Sequence, residues 1–250
     1  MRIATYNIWN CEENNELRFA QITDELVKIS ADIIALQEVP NKNYFDILLK
    51  NTKYEYGVFH SHCGEDEGLS VISKYPIVNS TYSNSAVIAV VNVKGCALSI
   101  TNVHLDWLSP IKRENDITAL VDTIAVENAD YKLLLGDFNC SEHSSVHQFL
   151  LGQSSLRCKE AVPCWYDLSE SYFGLCGKEP EITLDFKNNP RWRNRNTVEK
   201  NQRFDRILLQ NTYPNNFPVL RNCVVFGKEA SAETGLAPSD HYGVFVDIDF

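Results

Sequence analysis

At 250 residues, 44% of them hydrophobic and 11% aromatic, the chain is long enough to bury a sizeable core, as one large domain or two small ones. The net charge of −10, from 23 basic and 33 acidic residues, excludes a protein that coats duplex nucleic acid through its bulk charge. A charged fraction of 22% and plain sequence complexity exclude disorder, and no apolar run approaches the ~20 residues of a membrane span.

The opening "MRIATYNIWN" has no apolar h-region and no small-residue cleavage site, so it reads as a strand, and the protein is expected to be cytoplasmic. Strand-like runs follow at "ADIIALQ", "EYGVFH", "GLSVIS", "SAVIAVVNV", "CALSITNVHL", "YKLLLGDF", "RFDRILLQ" and "YGVFVDIDF", rich in Val, Ile and Tyr. "VNVKGCALSI" has the pattern of a hairpin turning at Lys94-Gly95. In "RFAQITDELVKIS" the residues Phe19, Ile22, Leu26 and Ile29 share one helical face. A second helix is expected over Arg113–Glu127, with Ile117, Leu120, Val121 and Ile124 facing inward. No linker or repeat interrupts the chain, and mixed hairpins and strand–helix–strand units predict packed sheets with helices outside.

Eight cysteines at 11, 63, 96, 140, 158, 164, 176 and 223 form no CxxC, and free, mostly buried thiols are the reading they support. Cys158, Cys164 and Cys176 with His143 or His147 match no common zinc spacing. "HSHC" at 60–63 runs into the acidic loop "GEDEG" and is read as exposed and outside any catalytic set. The basic patch "RWRNRN" at 191–196 fits either phosphate contact with ring stacking or a solvated loop anchored by Trp192.

The ends of the strands carry the chemistry. The first runs into Asn7 and the next closes on Gln37-Glu38; later strands end on Asn102 and His104, and on Asp137 and Asn139. Asp205 lies inside "RFDRILL", where an unpaired carboxylate is costly, and Asp240-His241 precede the last strand. Glu38, Asp137 and Asp240 are hard oxygen donors that suit Mg²⁺ (or Mn²⁺) rather than zinc. Carboxylates, amides and two imidazoles together point to metal-assisted phosphoester hydrolysis. No GxSxG elbow or P-loop is present.

"TYNIWN", "LQEV", "NVHL", "GDFN", "FDRI" and "SDH", in that order over residues 5–241, resemble the endonuclease/exonuclease/phosphatase superfamily with the deoxyribonuclease I-like fold. "GLSVISKYPI" at 68–77 is similar to an internal strand and turn of the family. "RFDRILL" followed by "PSDHYGV" looks most like the 5′-tyrosyl-DNA phosphodiesterase branch. "ITLDFKNN" at 182–189 resembles that branch's Thr-Trp-Asp segment, with Leu184 in place of Trp.

The resemblance implies one domain over 1–250, a four-layered α/β/β/α sandwich with two mixed sheets face to face and helices outside. It makes Glu38 the main Mg²⁺ ligand, with Asn7 beside it on metal or phosphate and Asp240 completing the metal environment. Asp137 would orient or deprotonate the attacking water, and His104 would act on the phosphate or the leaving oxygen. His241, held by Asp205, would contact the phosphate. Asn139, with Asn102, Asp185 and Arg206, would bind the phosphate or substrate. The implied partner is a phosphoester substrate, such as DNA or a nucleotide, met by a monomer. A phosphatase acting on a small molecule or lipid headgroup would use the same residues, and a non-catalytic binding module on this scaffold is a third reading.

Overall fold

The computed structural model describes residues 1–13, 15–61, 67–83, 85–192 and 198–250. Two six-stranded sheets pack face to face. The first contains β1 (Arg2–Asn7), β2 (Ile33–Val39), β3 (Tyr56–Ser61), β4 (Gly68–Ser73), β11 (Val219–Phe226) and β12 (Gly243–Asp249), in the order β11-β12-β1-β2-β4-β3. The second contains β5 (Ile77–Ser83), β6 (Ala86–Val93), β7 (Cys96–His104), β8 (Tyr131–Asp137), β9 (Trp165–Asp167) and β10 (Asp205–Gln210), in the order β5-β6-β7-β8-β10-β9.

Alternation along the strands sorts their side chains. Ile3, Ile33, Ala35, Leu98, Ile100, Leu133, Leu135, Ile207, Val244 and Val246 face the opposite sheet and form the central core. The intervening residues face helices. Beneath α1 (Asn15–Ile29) and α2 (Lys42–Thr52) lie Ala4, Tyr6, Ile34, Leu36 and Phe245. Beneath α3 (Pro110–Ala125) and α4 (Ser145–Leu150) lie Ile88, Val103, Leu134 and Leu208. A further helix, α5 (Leu168–Leu175), sends Leu168 and Phe173 into the central core. The four-layered sandwich is therefore as expected.

Near the middle of each sheet stands one parallel pair, β1–β2 and β7–β8, each joined through a helix. Parallel pairing brings the C-terminal ends of both strands to the same edge. Inward faces that are apolar along most of their length become polar there, as in the series Ile3, Thr5, Asn7 and the series Leu98, Ile100, Asn102, His104. That edge is where the site lies.

Several boundaries differ from the sequence reading. The third helix starts at Pro110 rather than Arg113, because Ser109 accepts from Lys112 N and Pro suits the first helical position. On α1 the deepest position next to Ile22, Leu26 and Ile29 is Arg18, with Phe19 half-buried and edge-on to Tyr44. Lys94 and Gly95 both have positive φ, 53° and 96°, as the expected β6–β7 turn requires. The seven cysteines among the described residues are free, but only Cys140 and Cys223 are buried; the expectation of mostly buried thiols fails because the others sit in loops, at strand starts and at helix ends. Among the described residues no helix is long and apolar enough to cross a membrane.

Candidate active site

Register assembles the centre of the site. Residue His104 of β7 pairs with Asp137 of the parallel β8, and Asp137 pairs with Asp205 of the antiparallel β10. Paired positions project to the same face, so three titratable side chains stand in one row on the inward face of the second sheet. Gly136 makes the row possible: at φ +139° a Cβ there would lie 2.0 Å from Val103 O.

The first sheet contributes from across the sandwich. Asn7 Nδ2 donates to Glu38 Oε1 (2.9 Å) and to Asp137 Oδ2 (3.0 Å), tying the two acids from opposite sheets. Its Oδ1 accepts from Trp9 N at 3.0 Å, so Asn7 is placed as a bridge between acids, not with its oxygen turned to the cluster. A register shift between Leu36 and Val39 turns Glu38 to the rim with φ 57°, where its Oε2 accepts from Asn10 N at 2.9 Å. Trp9 (φ 57°) and Asn139 (φ 48°) are left-handed too. Such clustering of strained non-glycine residues is typical of functional sites.

Two imidazoles approach the same carboxylate oxygen. His104 Nε2 is 3.7 Å and His241 Nε2 is 3.9 Å from Asp137 Oδ2, and His104 Nε2 is 3.8 Å from Glu38 Oε1. His241 Nδ1 faces Asp205 Oδ2 at 2.9 Å, with both residues buried. The segment around Thr183 fixes this pair: its Oγ1 accepts from Asp205 N (3.1 Å) and its carbonyl from Tyr242 N (2.7 Å). Ser239 Oγ donates to Asn7 O (2.8 Å) and accepts from His241 N (3.2 Å).

Electrostatics follow from burial and crowding. Burial opposes the His241 cation, but the carboxylates of Asp205, Asp137 and Asp240 outweigh it and hold the imidazole well above 6.5. Burial likewise lifts Asp205 above the ordinary aspartate value, with His241 pulling the other way. The two therefore share a proton, and because the imidazole starts from 6.5 and the carboxyl from 3.8, it rests on His241. Asp240 is pushed up to about 6 by burial, moderated by His241 and reinforced by repulsion from Glu38 and Asp137. Glu38, Asp137 and Asp240 crowd one rim, where a divalent cation would relieve their mutual repulsion, while the side chains whose ligand atoms already lie within 4.8 Å of one another are Asp137, Asp205 and His241.

Not every expected residue reaches this centre. Asn102 lies one inward position below His104, fully buried, and its amide is consumed between the sheets. It accepts from Gln37 Nε2 (2.6 Å) and donates to Leu36 O (2.8 Å) and Ser70 O (2.9 Å). Asn102→Ala is expected to lower stability by roughly 1–3 kcal/mol, because three buried polar groups lose partners. A urea midpoint unchanged by this substitution, with substrate affinity lost instead, would reinstate a binding role.

Arg206 follows Asp205 and so faces the helices, fully buried, where it donates to Cys140 O and lies 5.5 Å from the Phe138 ring centre. Asp185 turns its oxygens to its own loop, accepting from Lys187 N, Asn188 N and Asn188 Nδ2. Asn139 stays at the rim, its backbone N–H on Asp137 Oδ1 (2.8 Å) and its amide donating to Leu105 O (2.8 Å).

Of the basic patch, Arg191 is buried and donates to Ala237 O rather than facing solvent, while 193–196 lie outside the described residues. His60 is half-buried and stacks on Tyr82 at 3.5 Å; His62 and Cys63 lie outside the described residues. Glu67, which follows them and is described, does reach the site: its Oε1 is 4.0 Å from His104 Nδ1, and its Oε2 accepts from Asn10 Nδ2 at 3.1 Å. Sequence reading missed Glu67, and its one signal was its position directly before β4.

A second group, His147, Asp167 and Glu170, is close enough to invite a metal but already holds a cation. Arg203 donates to Asp167 Oδ2 (2.6 Å) and to Glu170 Oε1 (2.7 Å), and Asp167 Oδ1 caps α5. It is an ion-pair network that ties the segment leading into β10 to α5.

Solved structures share this architecture. D. rerio TDP2 carrying 14 humanizing mutations superposes with a TM-score of 0.80 at 18% identity, covering 100% of this chain and 99% of that one. D. rerio TDP2 in complex with a single-strand DNA product gives 0.79 at 19% identity, with coverage of 100% and 99%. An endonuclease/exonuclease/phosphatase from Bacteroides vulgatus gives 0.75 at 16% identity, with coverage of 100% and 98%. No curated protein matches the sequence. The model of the endonuclease/exonuclease/phosphatase family matches residues 4–241, taking in every element that builds the site, and the chain belongs to that family.

Proposed function

We propose that the protein is a Mg²⁺-dependent (or Mn²⁺-dependent) phosphodiesterase that hydrolyses a phosphodiester of the kind found in DNA or in 5′ adducts of DNA. The observation that carries this reading is the convergence of two imidazoles from opposite sheets on one oxygen of Asp137, beside Glu38. A phosphate placed there meets a cationic His241 on one side and His104 on the other. The single-strand DNA product bound by D. rerio TDP2, a protein with the same fold, supports a nucleic-acid ester as substrate.

The metal would be held by Glu38 with Asp240, and when bound it would supply charge that offsets the developing negative charge on the phosphoryl oxygens. The chain's own residues do the rest. Asp137 orients a water and accepts its proton, being held in place by Asn7 and the Asn139 backbone. His241 donates a hydrogen bond to a phosphoryl oxygen, its tautomer and charge fixed by Asp205. His104, steadied by Glu67, faces the leaving oxygen. Asn139 binds a further phosphoryl oxygen.

Purified protein with Mg²⁺ or Mn²⁺ is expected to cleave 5′-tyrosyl DNA or unmodified single strands faster than abasic duplex, inositol phosphates or other phosphorylated small molecules. Turnover confined to the small molecules would sink the phosphodiester reading in favour of a phosphatase.

A further inference from the structure

The catalytic rim opens into a cleft of about 600 Å³ whose lining includes Trp9, Trp107, Phe186, Trp192 and Phe204. One wall is braced: Trp192 Nε1 donates to Asp240 O at 3.0 Å, and its ring meets Phe186 edge-on at 4.9 Å. Trp107, from the turn between β7 and α3, lines the same cleft and differs from these in being 76% exposed. Leu108 beside it is 72% exposed. An exposed Trp–Leu pair at a site mouth has no packing reason to be there, and large apolar side chains left in water mark contact surfaces.

The turn that presents Trp107 is well anchored. Asp106 Oδ1 accepts from Leu108 N (2.9 Å) and Ser109 N (2.7 Å), and Asp106 Oδ2 accepts from Lys112 Nζ (3.0 Å). Arg113 donates to the carbonyls of Asp106 (2.7 Å) and Trp107 (3.2 Å). Its base is tied to the reacting centre, since Leu105 N donates to Asp137 O (3.0 Å) and Leu105 O accepts from Asn139 Nδ2. Trp107 is thus a water-facing aromatic surface held at a fixed place three residues from His104. A ring with only two side-chain torsions, carried on an anchored turn, loses little entropy on binding, which makes it an efficient stacking platform.

Resting on the phosphoester reading above, we propose that Trp107 is a specificity-determining residue, which stacks on a planar aromatic group carried by the substrate next to the phosphate. A nucleobase and an aryl substituent share that chemistry. A ring-free polyol phosphate would leave the Trp107 face wet and gain nothing from it.

Equilibrium dialysis in Mg²⁺ with methyl phosphate, phenyl phosphate and thymidine 5′-monophosphate reads this directly. Wild-type protein is expected to bind at least one ring-bearing ester about tenfold more tightly than methyl phosphate, the size of effect one stacking contact gives. That preference should fall close to unity in Trp107→Ala and return in Trp107→Phe. Loss for phenyl phosphate and the nucleotide together indicates a general ring platform; loss for the nucleotide alone indicates a base platform, and both support the assignment. An unchanged preference in Trp107→Ala overturns it, and if binding to phosphatidylserine vesicles falls at the same time, the turn is a membrane contact instead. The ratio does not depend on turnover, so a wild-type protein that binds selectively yet cleaves no phosphodiester refutes the proposed function and leaves the platform standing.

Discussion

Glu38→Gln is expected to leave a folded protein with hydrolysis reduced by about 10³-fold or more, an effect on the scale of losing a metal's charge from a phosphoryl-transfer site. The substitution is nearly isosteric. Gln keeps one oxygen, for the Asn7 amide or for Asn10 N but not both, so the left-handed turn at residue 38 retains part of its support. What goes is one negative charge from a rim that also holds Asp137 and Asp240. The metal-free variant should therefore be no less stable than the metal-free wild type, and in wild-type protein the Asp240 carboxyl, pushed up to about 6, should fall when Mg²⁺ binds. Calorimetric titration of Mg²⁺ into both proteins, beside turnover at saturating metal, checks this. Full activity in Glu38→Gln, or in wild-type protein after exhaustive chelation, would refute the metal assignment.

The Asp205–His241 pair should behave as one unit. Asp205→Asn or His241→Ala alone is expected to cost roughly 10²–10⁴-fold in kcat, and the double variant little more than either. The pH dependence supplies the sign. The folded-state pKa of His241 is raised, so the cation persists through neutral pH, and activity that needs it is lost only as pH rises through that value. The stability that the raised His241 contributes is likewise fully present below about 6.5 and lost over the same alkaline window. Asp205→Asn removes the largest of the charges favouring the cation and should move this limb to lower pH. Multiplicative losses in the double-mutant cycle, in variants shown to be folded, would mean that the residues act separately.

Most of the fold was legible because its strands are short runs rich in Val, Ile and Tyr between turn residues; β4, at 68–73, is buried throughout and coincides with its reading from sequence. The elements that were missed lack that signal. In β5 nearly every residue is exposed, so there is no buried face to betray it. Strand β9 has three residues, and β11 is interrupted by a register shift between Leu220 and Asn222. The N-cap of α2, Asn41, was visible in the sequence and went unused.

In the site, Asn7, Glu38, His104, Asp137, Asp205, Asp240 and His241 do come together. Asn102 and Arg206 lie apart from that group for reasons of depth and parity. Asn102 has the same inward parity as His104 but lies two residues, about 6–7 Å, deeper along its strand. Arg206 has the opposite parity to Asp205. Glu67 could not be derived, since its nearness to His104 arises across strands far apart in sequence.

The placement of both parallel pairs has a consequence for where the chain can change length. Side chains reach the rim by counting residues from the opposite edge, and one residue added or lost within β1, β2, β7 or β8 would turn Asn7, Gln37, His104 or Asp137 to the wrong face. Those strands are fixed rulers. At the far edge, the Lys94–Gly95 turn and the approach to β8 at Asp130 set no distance to the rim, and tags or inserted loops belong there.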